Sequence, residues 1–125
     1  MTTAYLCVLA AALMPYVFTS LAKFGGGRRY NNYSPREFLD KQEGYQKRAH
    51  WAQLNSFEAF PAFAAAVIIA HLTGAEQSYV DTLALAFIGI RVVYGVMYIG
   101  NFAALRSVVW AAGVGCTVAL FLAGA

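Results

Sequence analysis

At 125 residues the chain has room for one domain. Hydrophobic residues make up 60% of it and charged residues only 12%, which excludes an ordinary soluble globular protein and points to an integral membrane protein. The net charge of +3 is too small and too unevenly placed to imply a nucleic-acid partner, and the two cysteines, Cys7 and Cys116, sit in apolar segments without metal-ligand spacing or a disulfide framework.

The first hydrophobic segment, residues 3–22, has about the length needed to cross a ~30 Å hydrocarbon core. No Lys or Arg precedes it, and it exceeds the roughly 7–15 apolar residues of a secretory signal. It therefore reads as a spanning helix of the mature chain, locally adjusted at Pro15. A polar connection, residues 23–45, follows. Gly25-Gly26-Gly27 ends the helix and permits a turn. Ser34-Pro35 then reads as an N-cap with proline at the first helical position. A short amphipathic helix from Pro35 to about Glu43 is expected at the interface, with Phe38 and Leu39 directed inward. Further apolar helices are expected at roughly 46–73, 78–100 and 105–123, giving an all-α, four-helix membrane protomer.

Positive charge is confined to one side. Lys23, Arg28, Arg29, Arg36, Lys41, Lys47 and Arg48 lie in the first connection or at its flanks, residues 73–77 carry none, and Arg106 lies in the last connection. The positive-inside rule places loop 23–45 in the cytoplasm and both termini outside.

That topology brings two polar clusters to one depth. From the second long helix come Arg48, Asn55 and Glu58, which at ~100° per residue share a sector of roughly 80°. Pro61 frees the Phe57 carbonyl close by. From the third come Arg91, Tyr94 and Tyr98, at i, i+3 and i+7 on one face, and Arg106 begins the fourth. Ionisable residues within membrane spans need a partner or a polar cavity. Guanidinium groups, an amide, a carboxylate and two phenols together suit a small ligand bearing carboxylates and an amine. Plainer readings stand beside this one: Glu58 and Arg91 neutralising one another across helices, Arg28 and Arg29 touching lipid headgroups, Arg106 anchoring its helix, and Trp51 in the interfacial aromatic belt. Residue spacing alone gives a buried polar site and no reaction. A small four-helix exporter would carry its carboxylate in the first segment, which has no acid.

The run Ala52-Gln53-Leu54-Asn55-Ser56-Phe57-Glu58-Ala59-Phe60-Pro61 resembles a second-helix signature of the MAPEG family, the membrane-associated proteins of eicosanoid and glutathione metabolism. Arg91-Val92-Val93-Tyr94-Gly95-Val96-Met97-Tyr98 resembles that family's third-helix signature. The likeness covers essentially the whole chain and is greatest to small bacterial members. It implies one domain over residues 1–125, a homotrimer in the bacterial inner membrane, and glutathione as co-substrate between protomers. By motif position it implies glutathione contacts from Arg48, Asn55, Glu58, Arg91, Tyr94 and Tyr98, with Arg106 as the catalytic cation that stabilises the thiolate. Arg28, Arg29 and Gln53 are further candidates. The implied activity is transfer of glutathione to a lipophilic electrophile, or reduction of a lipid hydroperoxide; the alternative is a non-catalytic lipid- or partner-binding protein of the same fold. This chain departs from the leukotriene-synthase branch at Trp51, where that branch has an arginine, at Ala59, where it has a tyrosine, and in the Tyr98-to-Arg106 spacing, longer by one residue.

Overall fold

A computed structural model describes all 125 residues. Five helices account for most of the chain: α1 (Thr3–Phe24), α2 (Pro35–Asp40), α3 (Gly44–Leu72), α4 (Gln77–Ile99) and α5 (Ala103–Leu122). All but α2 are long and apolar enough to cross a membrane. At 1.5 Å per residue the 29-residue α3 runs to ~44 Å, so it extends beyond the hydrocarbon core. α1 and α3 continue as single helices through Pro15 and Pro61.

Small residues recur on the inside, around a few large ones such as Phe63, Phe87 and Leu120. Ala4 and Ala11 of α1, Ala66 and Ala70 of α3 and Ala84 of α4 are buried, while Leu6, Leu9, Leu13, Ile68, Leu85, Val96, Val108 and Val118 point outward. Lipid is as apolar as leucine, so membrane helices associate through close backbone approach and van der Waals packing, which small residues permit. α1 packs on α3 and α4, and α5 on α4 and α3, so the α3–α4 pair lies between the other two long helices. Its centre is a stacked pair, Phe63 and Phe87, with ring centroids 3.9 Å apart. The chain is a multi-pass membrane protein.

At the end opposite the long loop, Asp81 of α4 accepts the Ala4 backbone N–H at 2.9 Å and the Gln77 side-chain amide at 2.7 Å. The carboxylate thus serves one of the four amides that every helix start leaves unpaired.

The 23–45 connection folds back on the bundle. Phe38 and Leu39 are buried beside Ala22 and Ala49, as expected of an amphipathic α2. The helix ends at Asp40 rather than Glu43, because Gln42 turns inward to donate to the Ala22 carbonyl at 2.7 Å. Ser34 makes no side-chain cap bond, and Pro35 alone marks the start. Arg28 donates to the Lys41 carbonyl at 2.8 Å and lies over the Phe38 ring. Gly25 ends α1 without a positive φ; its requirement is space, since a Cβ there would collide with the Tyr45 ring, whose hydroxyl donates to the Gly25 carbonyl. α3 begins at Gly44 instead of residue 46, with that glycine at φ +60°, a conformation disfavoured for side-chain-bearing residues.

Candidate functional site

α3 and α4 together carry the polar cluster. Asn55 and Glu58 lie one turn apart on α3, and Arg91, Tyr94 and Tyr98 line the facing side of α4. Arg91 is 4% exposed and donates through Nη2 to the Asn55 side-chain oxygen. Its guanidinium sits 4.3 Å from the Tyr94 ring centroid. Arg106 sits at the same distance over Tyr98, and the two tyrosines meet edge to face at 5.7 Å. Each cation is therefore held on an aromatic face, an arrangement that orients a guanidinium without neutralising it.

The Glu58–Arg91 ion pair does not form. Lys41 pairs with Glu37, the His50 ring lies 3.6 Å from the Asp40 carboxylate, and the Glu58 side chain is exposed. Arg91 is left with a neutral amide and a phenol ring as partners. A buried cation and an unpaired carboxylate, both on spanning helices, make this the candidate site.

Two cavities share this wall. One, of about 340 Å³, is lined by Trp51, Leu54, Asn55, Glu58, Tyr94 and Tyr98. The other, of about 430 Å³, begins at the same Asn55 and Glu58, passes Arg91, and runs along α5 past Trp110, Val114, Thr117 and Phe121. Both fall in the ~300–1,000 Å³ range of small-molecule sites. The first is polar and aromatic, the second mostly apolar. No group of His, Cys, Asp and Glu side chains is placed to hold a metal ion.

Of the residues singled out from the sequence, Asn55, Glu58, Arg91, Tyr94 and Tyr98 converge here; Arg106 lies over the Tyr98 ring and lines neither cavity itself. Arg48 lines neither cavity: its Nε donates to the Ile99 carbonyl at 2.8 Å, tying α3 to the last turn of α4. Gln53 meets the buried His50 at 3.3 Å. Arg28 is engaged in the loop, and Arg29 is exposed to solvent.

Two parts of the site escaped the sequence reading. Trp51, expected in an aromatic belt, lines the smaller cavity 6.3 Å from the Tyr98 ring. The α5 wall was not anticipated either, although Trp110, Gly113, Val114, Thr117, Val118 and Phe121 recur at i, i+3, i+4, i+7, i+8 and i+11, the signal of one helix face.

The fold and site define a multi-pass helical membrane protein with a paired polar and apolar cavity. The description of the MAPEG family matches residues 3–125, essentially the whole chain, and the protein belongs to that family. No curated protein and no solved structure matches it.

Proposed function

We propose that the protein binds glutathione in the polar, aromatic cavity and joins it, through its thiolate, to a lipophilic electrophile held in the apolar one. The observation that carries this reading is the shared wall: Asn55 and Glu58 border both cavities, so a thiol in one lies beside an acceptor in the other. Holding two reactants in this way converts a bimolecular step into a local one. Charge agrees as well. Arg91, beside Asn55 on the wall of the apolar cavity, and Arg106, over the Tyr98 ring, are cations adjoining the polar cavity that can reach the carboxylates and the sulfur of glutathione, and Glu58 supplies an acceptor for its ammonium.

In the transfer step the Arg106 cation, above Tyr98, favours loss of the thiol proton to water, and the thiolate is the nucleophile. Sulfur forms a bond to the electrophilic carbon, and the displaced electron pair leaves with the departing group or opens a strained ring. With a lipid hydroperoxide the thiolate attacks the terminal peroxide oxygen and the O–O bond breaks, the alkoxide taking a proton from water to leave as the alcohol; a second glutathione then attacks the sulfur of the resulting sulfenic acid, giving glutathione disulfide and water.

We further infer a homotrimer in a bacterial inner membrane, with loop 23–45 cytoplasmic and both termini outside. The exposed, unpaired Glu58 supports a site closed by a neighbouring protomer. A detergent-corrected mass equal to one protomer, with glutathione bound, would contradict this. Single cysteines at Asn32 and Ala75, in a background lacking Cys7 and Cys116, should label from opposite faces of the membrane. Impermeant labelling at Asn32 in intact cells reverses the orientation.

The central test is an ultraviolet difference spectrum of the purified protein with glutathione. Thiolate absorbance near neutral pH is expected, and its absence removes the catalytic reading. Glutathione binding without turnover across a panel of electrophiles would assign the site to the non-catalytic branch of the reading instead.

A further inference from the structure

Behind Arg91, on the side away from the larger cavity, lies a small chamber among α1, α3 and α4. It is lined by Ala11, Met14, Ser56, Phe60, Phe87 and Arg91, together with Ala59. Its volume of about 10 Å³ is close to the least that admits one water molecule. Three lining residues carry hydrogen-bonding capacity that the helices leave unused. The Ser56 hydroxyl is buried without a partner, and the residue is 6% exposed. The Ala11 carbonyl has no helical donor, because the residue four positions on is Pro15, inside α1 and lacking an N–H. Arg91 uses only Nη2 on a side-chain acceptor, so its guanidinium retains further N–H donors.

We propose that one ordered water occupies this chamber, accepting from the Arg91 guanidinium and hydrogen-bonding to the Ala11 carbonyl and the Ser56 hydroxyl, and that Ser56 is thereby a positioning residue for Arg91. Buried waters make about three hydrogen bonds, to polar groups that would otherwise be unsatisfied, and the chamber offers that number. The alternative, an unpaired hydroxyl and an unpaired carbonyl in a membrane bundle, carries a desolvation cost for each group. The water holds one edge of the guanidinium from α1 while Asn55 holds another from α3. The guanidinium is thereby fixed on the wall of the larger cavity, beside the Asn55 and Glu58 that both cavities share. It also gives Pro15 a function: the proline frees the acceptor that the water needs.

The positioning role rests on the glutathione reading; the water does not. A high-resolution structure of the full chain in lipid nanodiscs is expected to show a single density peak within hydrogen-bond reach of Ser56 Oγ, the Ala11 oxygen and Arg91. An empty chamber, or Ser56 Oγ turned onto the Ala52 carbonyl, overturns the proposal. Ser56→Ala should abolish the peak, and so should Pro15→Ala, which restores a backbone N–H to bond the Ala11 carbonyl. Both variants should speed rotation of the Arg91 guanidinium, measured by nitrogen-15 NMR, and raise the KM for glutathione three- to tenfold with kcat retained. Unchanged Arg91 rotation in Ser56→Ala refutes the positioning role. Water and faster rotation as expected, in a protein that binds no glutathione, would instead refute the proposed function.

Discussion

The two halves of the α3–α4 pair are built on opposite terms. In the half away from the long loop, Phe63, Ala66, Val67 and Ala70 of α3 meet Val80, Ala84 and Phe87 of α4 in one buried cluster with Ala4, Cys7 and Ala11 of α1 and Leu120 of α5. In the loop-side half, the same two helices present Asn55, Glu58, Arg91, Tyr94 and Tyr98 to open cavities. One half is dry and well packed; the other holds a cation without a counter-ion and a carboxylate without a partner. The buried apolar packing lies in the first half, and in the proposed function a ligand answers the unmet electrostatic demand of the second.

The sharpest way to break this division is to damage the dry half and measure the wet one. Phe63→Ala removes a fully buried ring from its stack on Phe87. We expect a loss of about 3 kcal/mol, the lower end of the range for such truncations, since lipid replaces water as the reference. Unfolding in mixed micelles measures it, and glutathione affinity of the remaining folded protein should be unchanged. A parallel loss of affinity would show that the halves are coupled.

The converse substitution is Glu58→Gln, which removes charge at nearly constant volume. Glutathione affinity should fall by about 1.5–3 kcal/mol, the range for a charge-assisted hydrogen bond, with folding stability held or raised. Calorimetric titration beside the unfolding curve separates the two. An unchanged affinity excludes Glu58 from the ammonium contact.

Within the wet half, Arg106→Leu should spare most of the binding while raising the thiol pKa by roughly one unit, about 1.4 kcal/mol. Loss of the thiolate absorbance at neutral pH reports it. Arg106→Lys should keep part of the signal, because a point charge remains where the guanidinium fork does not. Normal thiolate formation in Arg106→Leu would reduce Arg106 to an interfacial anchor.

The smallest effect is expected outside both halves. The Lys41 ammonium, hydrogen-bonded and ion-paired at 2.7 Å, holds the Glu37 carboxyl below its ordinary range. A depressed carboxylate contributes stability above its unfolded pKa, and that contribution is lost as pH falls through the lower folded value. Both partners are largely exposed, so solvent screens the pair. Glu37→Gln should leave the acid limb of the unfolding profile unchanged within error; a visible shift would give α2 a larger role in holding the bundle.

Much of this was legible in the chain because it is local. Four apolar stretches of spanning length, and the i, i+3, i+7 placement of Arg91, Tyr94 and Tyr98, follow from helix geometry alone. What was hidden depends on which distant backbone group a side chain reaches. Arg48 has the sequence position of a ligand contact, yet its Nε serves the carbonyl of Ile99, 51 residues on. Arg28 reads as a free loop cation but is committed to the Lys41 carbonyl. His50, in a polar stretch of the chain, is buried beside Gln53. Ser56 carried no signal, because an unpartnered hydroxyl becomes visible only once α1 and α4 enclose it.

The bond from the Ala4 amide to Asp81 has a consequence for how the protein is made. Its partners are separated by 77 residues, and at ~5–20 residues per second of synthesis the carboxylate is polymerised about 4–15 s after the amide. During that interval α1 is in place with its leading amide served by water at the membrane surface. α3, on which α1 packs most extensively, is made earlier, and only when α4 follows is that water exchanged for Asp81. The contact that closes the start of α1 is thus among the last to form, and a nascent chain stalled before residue 81 should leave the Ala4 amide open to hydrogen exchange.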